Sequence, residues 1–389
     1  MSDKITIAAD DTLAQQHSDQ LKQLMVAEIA ERGGWISFSG FMQRCLYQPG
    51  LGYYSAGSHK LGQGGDFTTA PETSPLFAYA LANHIVDVAL QIPRFELLEF
   101  GAGSGRLAVD ILTRLAQLGQ LPDQYLVVET SADLQQRQQT LIAQEIPELA
   151  SRVQWITSLP ADFCGIMLAN EVCDAMPVHL LNLTKHRVQE RGVSVENDQF
   201  CWQDRPPGSG ALAAKAETIP RPREGEYLTE VSLAAPEWLS SVASILTQGA
   251  IFIIDYGYPF AEYYRPERRQ GTLRCYYRQQ AHDNPLILPG LQDITAHVDF
   301  TSLAEAALGA ELSVAGFHEQ GDFLLAGGIA DIAARIEQET DTLTWLKHSS
   351  AIKQLLMPGA MGHQFKVLSL TRNIALLPRL AGHDRRYQL

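Results

Sequence analysis

The run Phe95-Glu96-Leu97-Leu98-Glu99-Phe100-Gly101-Ala102-Gly103-Ser104-Gly105 joins a short apolar stretch to three glycines at alternate positions. Beyond it Leu107, Ile111, Leu115 and Leu118 recur at helical spacing, so the segment reads as buried strand, tight turn and helix. Glycines in such a turn let a ligand approach the backbone, and the helix that follows offers it free N–H groups. The dinucleotide pattern G-x-G-x-x-G would need glycine where Arg106 stands, so the pyrophosphate form of the turn is not satisfied. What remains is E-x-G-x-G-x-G, with Glu99 at the strand's end. A carboxylate there repels a pyrophosphate and suits a cation that carries an amino acid and a ribose. S-adenosylmethionine is a ligand of that kind. Gln124-Tyr125-Leu126-Val127-Val128-Glu129 supplies a second apolar strand ending in an acid, where doubly wound folds place the residue that takes the ribose hydroxyls. Glu129 is the ribose candidate. The plainer alternative is a helix-capping glycine turn flanked by two surface glutamates.

Outward from this core, strands and helices alternate, which points to a parallel sheet covered on both faces. Helical spacing predicts helices over 18–31, 38–46 (capped by Ser37), 74–91, 132–143 and 236–246, the last ended by Gly249. Strands are expected over 153–156, 165–169 and 250–258. The 165–169 strand runs into Asn170-Glu171-Val172-Cys173-Asp174-Ala175-Met176-Pro177. Polar groups at the carboxyl end of a parallel strand fall where open α/β sheets bind ligands. The alternative is a helix cap, with Asn170 capping and the acids in the first turn. From His179 to Asp204 alternation broken at Arg191-Gly192 and at Glu196-Asn197-Asp198 predicts two hairpin turns, and Arg205-Pro206-Pro207-Gly208-Ser209-Gly210 a linker. Towards the C-terminus, helices are expected over 302–308, 329–338 and 343–356, with strands over 312–316, 323–326 and 365–370.

Two stretches have the composition of functional loops. One is Leu61-Gly62-Gln63-Gly64-Gly65-Asp66-Phe67-Thr68-Thr69-Ala70-Pro71-Glu72; the other is 259–300, with Tyr263, Tyr264, Tyr276, Tyr277, His282, Asp283, Asp293, His297 and Asp299. Within the second only Asp293 and His297 have i, i+4 spacing, so no metal is assigned to it.

At 389 residues the chain is long for one compact domain, given about 150 residues per domain. A hydrophobic content of 46% is enough for a sizeable core. With 44 acidic against 30 basic residues the formal charge is -14, which argues against a nucleic-acid partner and weakly for a basic one. Five cysteines with no C-x-x-C pair point to reduced thiols. The first residues show no secretory or transit pattern, and no apolar run reaches the ~18 residues that span a bilayer, so a cytoplasmic protein without membrane insertion is expected.

Taken together the motifs resemble the MidA-like class I methyltransferases, a family that includes a mitochondrial complex I assembly factor that methylates a protein arginine. The likeness runs from about Ile36 to about Leu370. It rests on Gly65-Asp66-Phe67-Thr68-Thr69-Ala70-Pro71-Glu72, Asn170-Glu171 with Asp174-Ala175 and Pro177-Val178, and Ile254-Asp255-Tyr256-Gly257. Gly271-Thr272-Leu273 with Tyr276, and Asp293-Ile294-Thr295-Ala296-His297-Val298-Asp299-Phe300, complete it. The resemblance implies a Rossmann-like α/β fold: a seven-stranded, mostly parallel sheet with helices on both faces and insertions after the fourth and fifth strands. Residues 1–73 would form N-terminal helices and a cofactor-covering loop, and 74–389 the methyltransferase domain, with insertions at about 178–235 and 258–300. It further implies S-adenosyl-L-methionine as cofactor, with Gly65, Asp66 and Thr69 over it and Glu99, Gly101, Gly103 and Gly105 beneath. Cys173 and Met176 depart from the family's pattern, where an aromatic residue and a leucine are expected.

Methyl transfer from a sulfonium needs an aligned acceptor, a dry site and a sink for the acceptor's proton. A guanidinium, with a pKa above about 12, is a poor nucleophile until carboxylates hold it and take a proton. Glu171 is therefore expected to clamp the guanidinium, with Asp174 as second acid and Asn170, itself also a cofactor-binding candidate, orienting the pair. Asp255, Tyr256, His297 and Asp299 would complete the acceptor pocket. The expected reaction is methylation of an exposed arginine on a partner protein. A small-molecule acceptor and a non-catalytic assembly factor that binds the cofactor stay open as alternatives, as does a homodimer. A nicotinamide dehydrogenase is disfavoured by Arg106 and Glu99.

Overall fold

The structure, a computed structural model, describes residues 11–56, 69–375 and 377–389. The chain forms two compact units. One comprises the described parts of Lys60–Cys173, Pro236–Phe260 and Val298–Leu389; the other comprises those of Met1–His59, Asp174–Ala235 and Ala261–His297.

The unit containing the glycine-rich turn is built on a sheet of β1 (Glu96–Phe100), β2 (Tyr125–Val128), β3 (Val153–Ile156), β4 (Phe163–Asn170), β5 (Leu246–Tyr258), β6 (Val298–Asp299), β7 (Ser313–Glu319) and β8 (Phe365–Arg372). Seven strands run in the order β7-β8-β5-β4-β1-β2-β3, and the two-residue β6 pairs beside β5, making eight where seven were expected. All neighbours pair parallel except β8, which is antiparallel to both β5 and β7. The order reverses between β1 and β4, which creates a crevice at their carboxyl ends.

Both faces of the sheet are buried, and each strand alternates between them. Leu97, Ile166, Leu168, Phe252, Ile254 and Val367 join one core with the helices α1 (Pro75–Ala89) and α2 (Arg106–Gln117). The intervening Leu98, Phe100, Met167, Ile251, Ile253 and Leu368 are buried as well. Phe100 meets Trp238 of the helix Ala234–Ile245 edge-on at 5.1 Å, and Phe300 of the helix Phe300–Gly309 meets Phe317 of β7 at 5.3 Å. Each such side chain, fully buried, contributes about 1.5–3 kcal/mol. The third helix, α3 (Ala132–Glu145), starts at Ser131, whose Oγ accepts the Leu134 N–H at 3.4 Å. That cap is worth about 1 kcal/mol.

The other unit holds the helices Thr12–Glu31 and Phe38–Tyr47, the second capped by Ser37 Oγ on the Gly40 N–H at 3.1 Å. It also holds a five-stranded antiparallel sheet and a three-stranded sheet of Gln280–His282, Arg274–Tyr277 and Asp293–Thr295. Glu230, 1% exposed, anchors the Gly271-Thr272-Leu273 stretch: its carboxylate accepts the N–H groups of Thr272 and Leu273 and the Thr272 hydroxyl at 2.9–3.0 Å. A Cβ at Gly271 would stand 2.1 Å from Glu230 Oε1, so only glycine fits there.

Several sequence expectations are corrected. Arg191-Gly192 is no turn but lies inside the strand Val188–Glu196, and the hairpin turns at 184–187. Gly192 is needed for close approach, since a Cβ would stand 2.2 Å from Ile36 O. Asn197 and Asp198 do form the second turn, with φ of 50° and 59°. Gly249 ends no helix; it belongs to β5, directly opposite Gly165 of β4. Residues 323–326 belong to the helix Gln320–Ala326, a four-residue apolar run being ambiguous by periodicity. The helix Gly210–Thr218 and the strand Tyr227–Val231 were not anticipated. Among the described residues no helix is long and apolar enough to cross a membrane.

Candidate active site

The carboxyl ends of β1, β2, β4 and β5 bring the predicted groups of the first unit together. Gly101, Gly103 and Gly105 have φ of 61°, 55° and 88°, a left-handed path that favours glycine at each position. The turn closes through Gly101 N–H to Val128 O at 3.1 Å and Gly105 N–H to Ala102 O at 2.8 Å, and it delivers the chain to the start of α2. A Cβ on Gly101 would touch Val172 Cγ2 at 3.6 Å, so this turn faces the one after β4. Arg106, where the dinucleotide pattern has glycine, instead clamps α2 to α3 by pairing with Glu145 at 2.7 Å, and pairs within α2 with Asp110 at 3.1 Å.

Glu99 is 3% exposed, and its Oε2 accepts the Tyr125 hydroxyl at 2.8 Å. Burial pushes its carboxyl up to about 7; the Tyr125 hydrogen bond opposes this and the charge of Glu129 adds to it. A folded pKa above the ordinary value of about 4.5 means the folded state keeps the proton longer than the unfolded chain. This carboxyl's contribution to stability is thus full below about pH 4.5 and is lost as pH rises through about 7. Glu99→Gln should flatten the fall in melting temperature of the cofactor-free protein between those limits. An unaltered slope in a thermal-shift pH series would show that Glu99 is ionised throughout.

Glu129, just beyond β2, accepts the Ser131 N–H at 2.8 Å and the Gln138 amide at 3.1 Å. Burial raises its pKa, and these two bonds counter that. At the end of β4, Asn170 Nδ2 donates to Glu171 Oε1 at 3.3 Å. Asn170 Oδ1 is buried and has no hydrogen-bond partner among the described residues. Glu171 has φ of 54°, a left-handed conformation that costs a non-glycine residue about 1–3 kcal/mol and clusters at functional sites. The strain is held by Glu171 N–H to Ile254 O at 2.9 Å and by Asp255. Asp255 Oδ2 accepts the Cys173 N–H and Oδ1 the Tyr256 N–H, both at 2.9 Å. No helix begins after Asn170, so the capping alternative does not apply.

The remaining candidates are placed as follows. Thr69 precedes the short helix Ala70–Thr73, and Glu72 on that helix accepts the Ser104 hydroxyl of the glycine turn. Gly65 and Asp66 lie outside the described residues. Asp299 caps the helix Phe300–Gly309 by accepting the Ser302 N–H at 3.3 Å and its hydroxyl at 2.6 Å. Asp174 and His297 belong to the other unit. There Ala296 N–H donates to Asp174 O at 3.0 Å, and the His297 N–H to Thr272 Oγ1 at 3.1 Å, so Glu230 orders the His297 backbone through Thr272. In the same unit Tyr54 donates to Asp293 at 2.9 Å, and burial, with the charges of Asp293 and Asp174, holds the Tyr54 hydroxyl well above the usual phenol range. Among the described residues no group of three or more His, Cys, Asp or Glu is placed to hold a metal ion.

A left-handed glycine turn, two half-to-fully buried carboxylates and the Asn170 Oδ1, which has no partner among the described residues, make an acceptor-rich set. They fit a cationic nucleoside bearing an ammonium and ribose hydroxyls. The family model of S-adenosyl-L-methionine-dependent methyltransferases matches residues 80–318. The chain belongs to this family. This methyltransferase is 42% identical, with a TM-score of 0.93, to a chain from Burkholderia thailandensis solved with S-adenosyl-homocysteine bound; the match covers 99% of this chain and 100% of that one. It is also 29% identical to the mitochondrial protein arginine methyltransferase NDUFAF7 of Mus musculus, over 87% of this chain and 81% of the relative. To the Danio rerio protein of the same name it is 28% identical, over 89% and 86%. Its cofactor is S-adenosyl-L-methionine, which supplies an electrophilic methyl group on a sulfonium.

Proposed function

We propose that this methyltransferase modifies an arginine side chain of a partner protein, with Glu171 as the group that makes the guanidinium reactive. The observation that carries the reading is the left-handed backbone of Glu171, a carboxylate-bearing residue at the switch point, between the glycine turn and the end of β5. Backbone strain there is maintained by two neighbouring strands, which is an expense without a structural return unless the side chain's direction matters. The relatives named as protein arginine methyltransferases support the choice of acceptor.

In this reading Glu99, Gly101, Gly103, Gly105 and Glu129 hold the cofactor, with Gly65, Asp66 and Thr69 covering it. Glu171 binds the guanidinium and accepts the proton that the nitrogen loses as it gains the methyl group. Asn170 orients Glu171 by donating to it. Asp174 and His297 are assigned to the acceptor's side of the reaction, and Tyr256 to the wall of its pocket. A charge of -14 supports a basic protein partner over a nucleic acid, and five free cysteines support a reducing compartment such as cytoplasm.

Methyl-labelled S-adenosylmethionine, this protein and an extract from cells lacking it should yield label on an arginine of one protein, located by mass spectrometry. Label recovered only in small molecules would overturn the acceptor assignment. Cofactor binding without any label would favour a non-catalytic role.

A further inference from the structure

The helix α3 is polar along most of its length, yet Gln138 on it is 0% exposed. Its amide is engaged at three points. Nε2 donates to Gly103 O at 2.9 Å and to Glu129 Oε2 at 3.1 Å, and Oε1 accepts the Trp155 indole N–H at 2.7 Å. One side chain therefore ties the glycine turn after β1 to the acid after β2 and to Trp155 of β3. The backbone of the same residue bounds the turn: a Cβ on Gly105 would stand 3.3 Å from Gln138 Cα, tighter than side chains ordinarily approach.

Only an amide meets these three demands, since two acceptors and one donor converge on it. A carboxylate would set charge against Glu129, and an apolar residue would take this partner away from three half-buried polar groups. Ser131 N–H occupies Glu129 Oε1 while Gln138 occupies Oε2. Each carboxylate oxygen is thus pinned by a protein donor, the Thr130 backbone adds a further hydrogen bond, and together they fix the plane in which Glu129 can receive hydroxyl groups.

We propose that Gln138 is a positioning residue of the cofactor site, which holds the Glu129 carboxylate and the Gly103 peptide in the one arrangement that accepts the ribose diol. The inference rests on the assignment of Glu129 to the ribose. It predicts a specific loss: discrimination for the diol falls, beyond any change in stability.

The test is calorimetric binding of S-adenosyl-homocysteine and of its 2′,3′-dideoxy analogue to the unaltered protein, Glu129→Gln and Gln138→Leu, with thermal melts in parallel. The unaltered protein should prefer the diol by about 10- to 100-fold, the usual scale for groups aligned by a supporting hydrogen bond. Both variants should lower that preference to within about threefold, and the double variant should lower it no further. Full preference in Gln138→Leu alongside a loss in Glu129→Gln overturns the role of Gln138. Full preference in Glu129→Gln overturns the ribose assignment and with it this route. Should Gln138→Leu not fold, Trp155→Phe removes only the donor to Gln138 Oε1; it should still reduce the preference about threefold, and an unchanged preference there overturns the proposal.

Discussion

Glu171→Gln is expected to lower turnover by about 10²- to 10⁴-fold, the range that a positioned proton acceptor contributes, while affinity for S-adenosyl-homocysteine stays within about twofold. The substitution is nearly isosteric. Glutamine can still accept from Asn170 Nδ2 through its carbonyl oxygen, and it inherits the same left-handed backbone with φ of 54°. What disappears is the negative charge and the ability to take a proton. Because Glu171 belongs to the turn after β4 and not to the glycine turn, Glu99, the three glycines and Glu129 are untouched. A companion variant separates strain from chemistry. Glu171→Gly relieves the left-handed backbone and should raise stability by about 1 kcal/mol while abolishing turnover. A Glu171→Gln protein with unaltered kcat would end the role assigned to this carboxylate, whatever its binding properties.

How much of this was legible in the sequence follows from the range of each signal. The glycine turn, β1, β2, β4, β5 and their helices are written in local terms: apolar runs, a helical repeat, glycines where φ is positive. Their register is not, yet parallel pairing of β1 with β4 is what brings Glu99 and Asn170 to one end. Gly192 and Gly249 were misread because a glycine that marks a turn and one that permits close approach look the same until the neighbouring chain is known. Gln138 was passed over as one of several glutamines on a polar helix; its partners lie 35, 9 and 17 residues away, and no periodicity records them. Glu230 escaped for the same reason, its partners being 42 and 43 residues distant. Glu72 closes the family's Gly65–Glu72 motif, and its contact with Ser104 ties that end of the motif to the glycine turn. The residue type of Asp299 suggested a binding role, and in the fold its carboxylate caps the helix Phe300–Gly309.

Asp255 carries the second large expectation, and its placement changes the form of that expectation. At 0% exposure, with Oδ2 on the Cys173 N–H and Oδ1 on the Tyr256 N–H, its carboxylate serves the backbone on both sides of Glu171's anchor at Ile254. On the proposed reaction, Asp255 is expected to act on the acceptor through the turn it holds, as a positioning residue. Asp255→Ala takes charge-assisted bonds away from the buried Cys173 N–H and the half-buried Tyr256 N–H and should cost on the order of 3 kcal/mol of stability. Turnover should fall with it, because the left-handed conformation of Glu171 is retained only while its surroundings over-determine it. Asp255→Asn distinguishes this from direct contact with the acceptor. Asparagine can accept one of the two N–H groups but turns an NH₂ towards the other, so both melting temperature and kcat should drop, each less than in Asp255→Ala. Direct contact predicts a different pattern, a lost kcat or raised acceptor KM with an unchanged melting temperature. If stability and turnover do move together across Asp255→Asn and Asp255→Ala, and Glu171→Gln loses turnover alone, then the carboxylate that meets the acceptor and the carboxylate that aims it are different residues on adjacent strands.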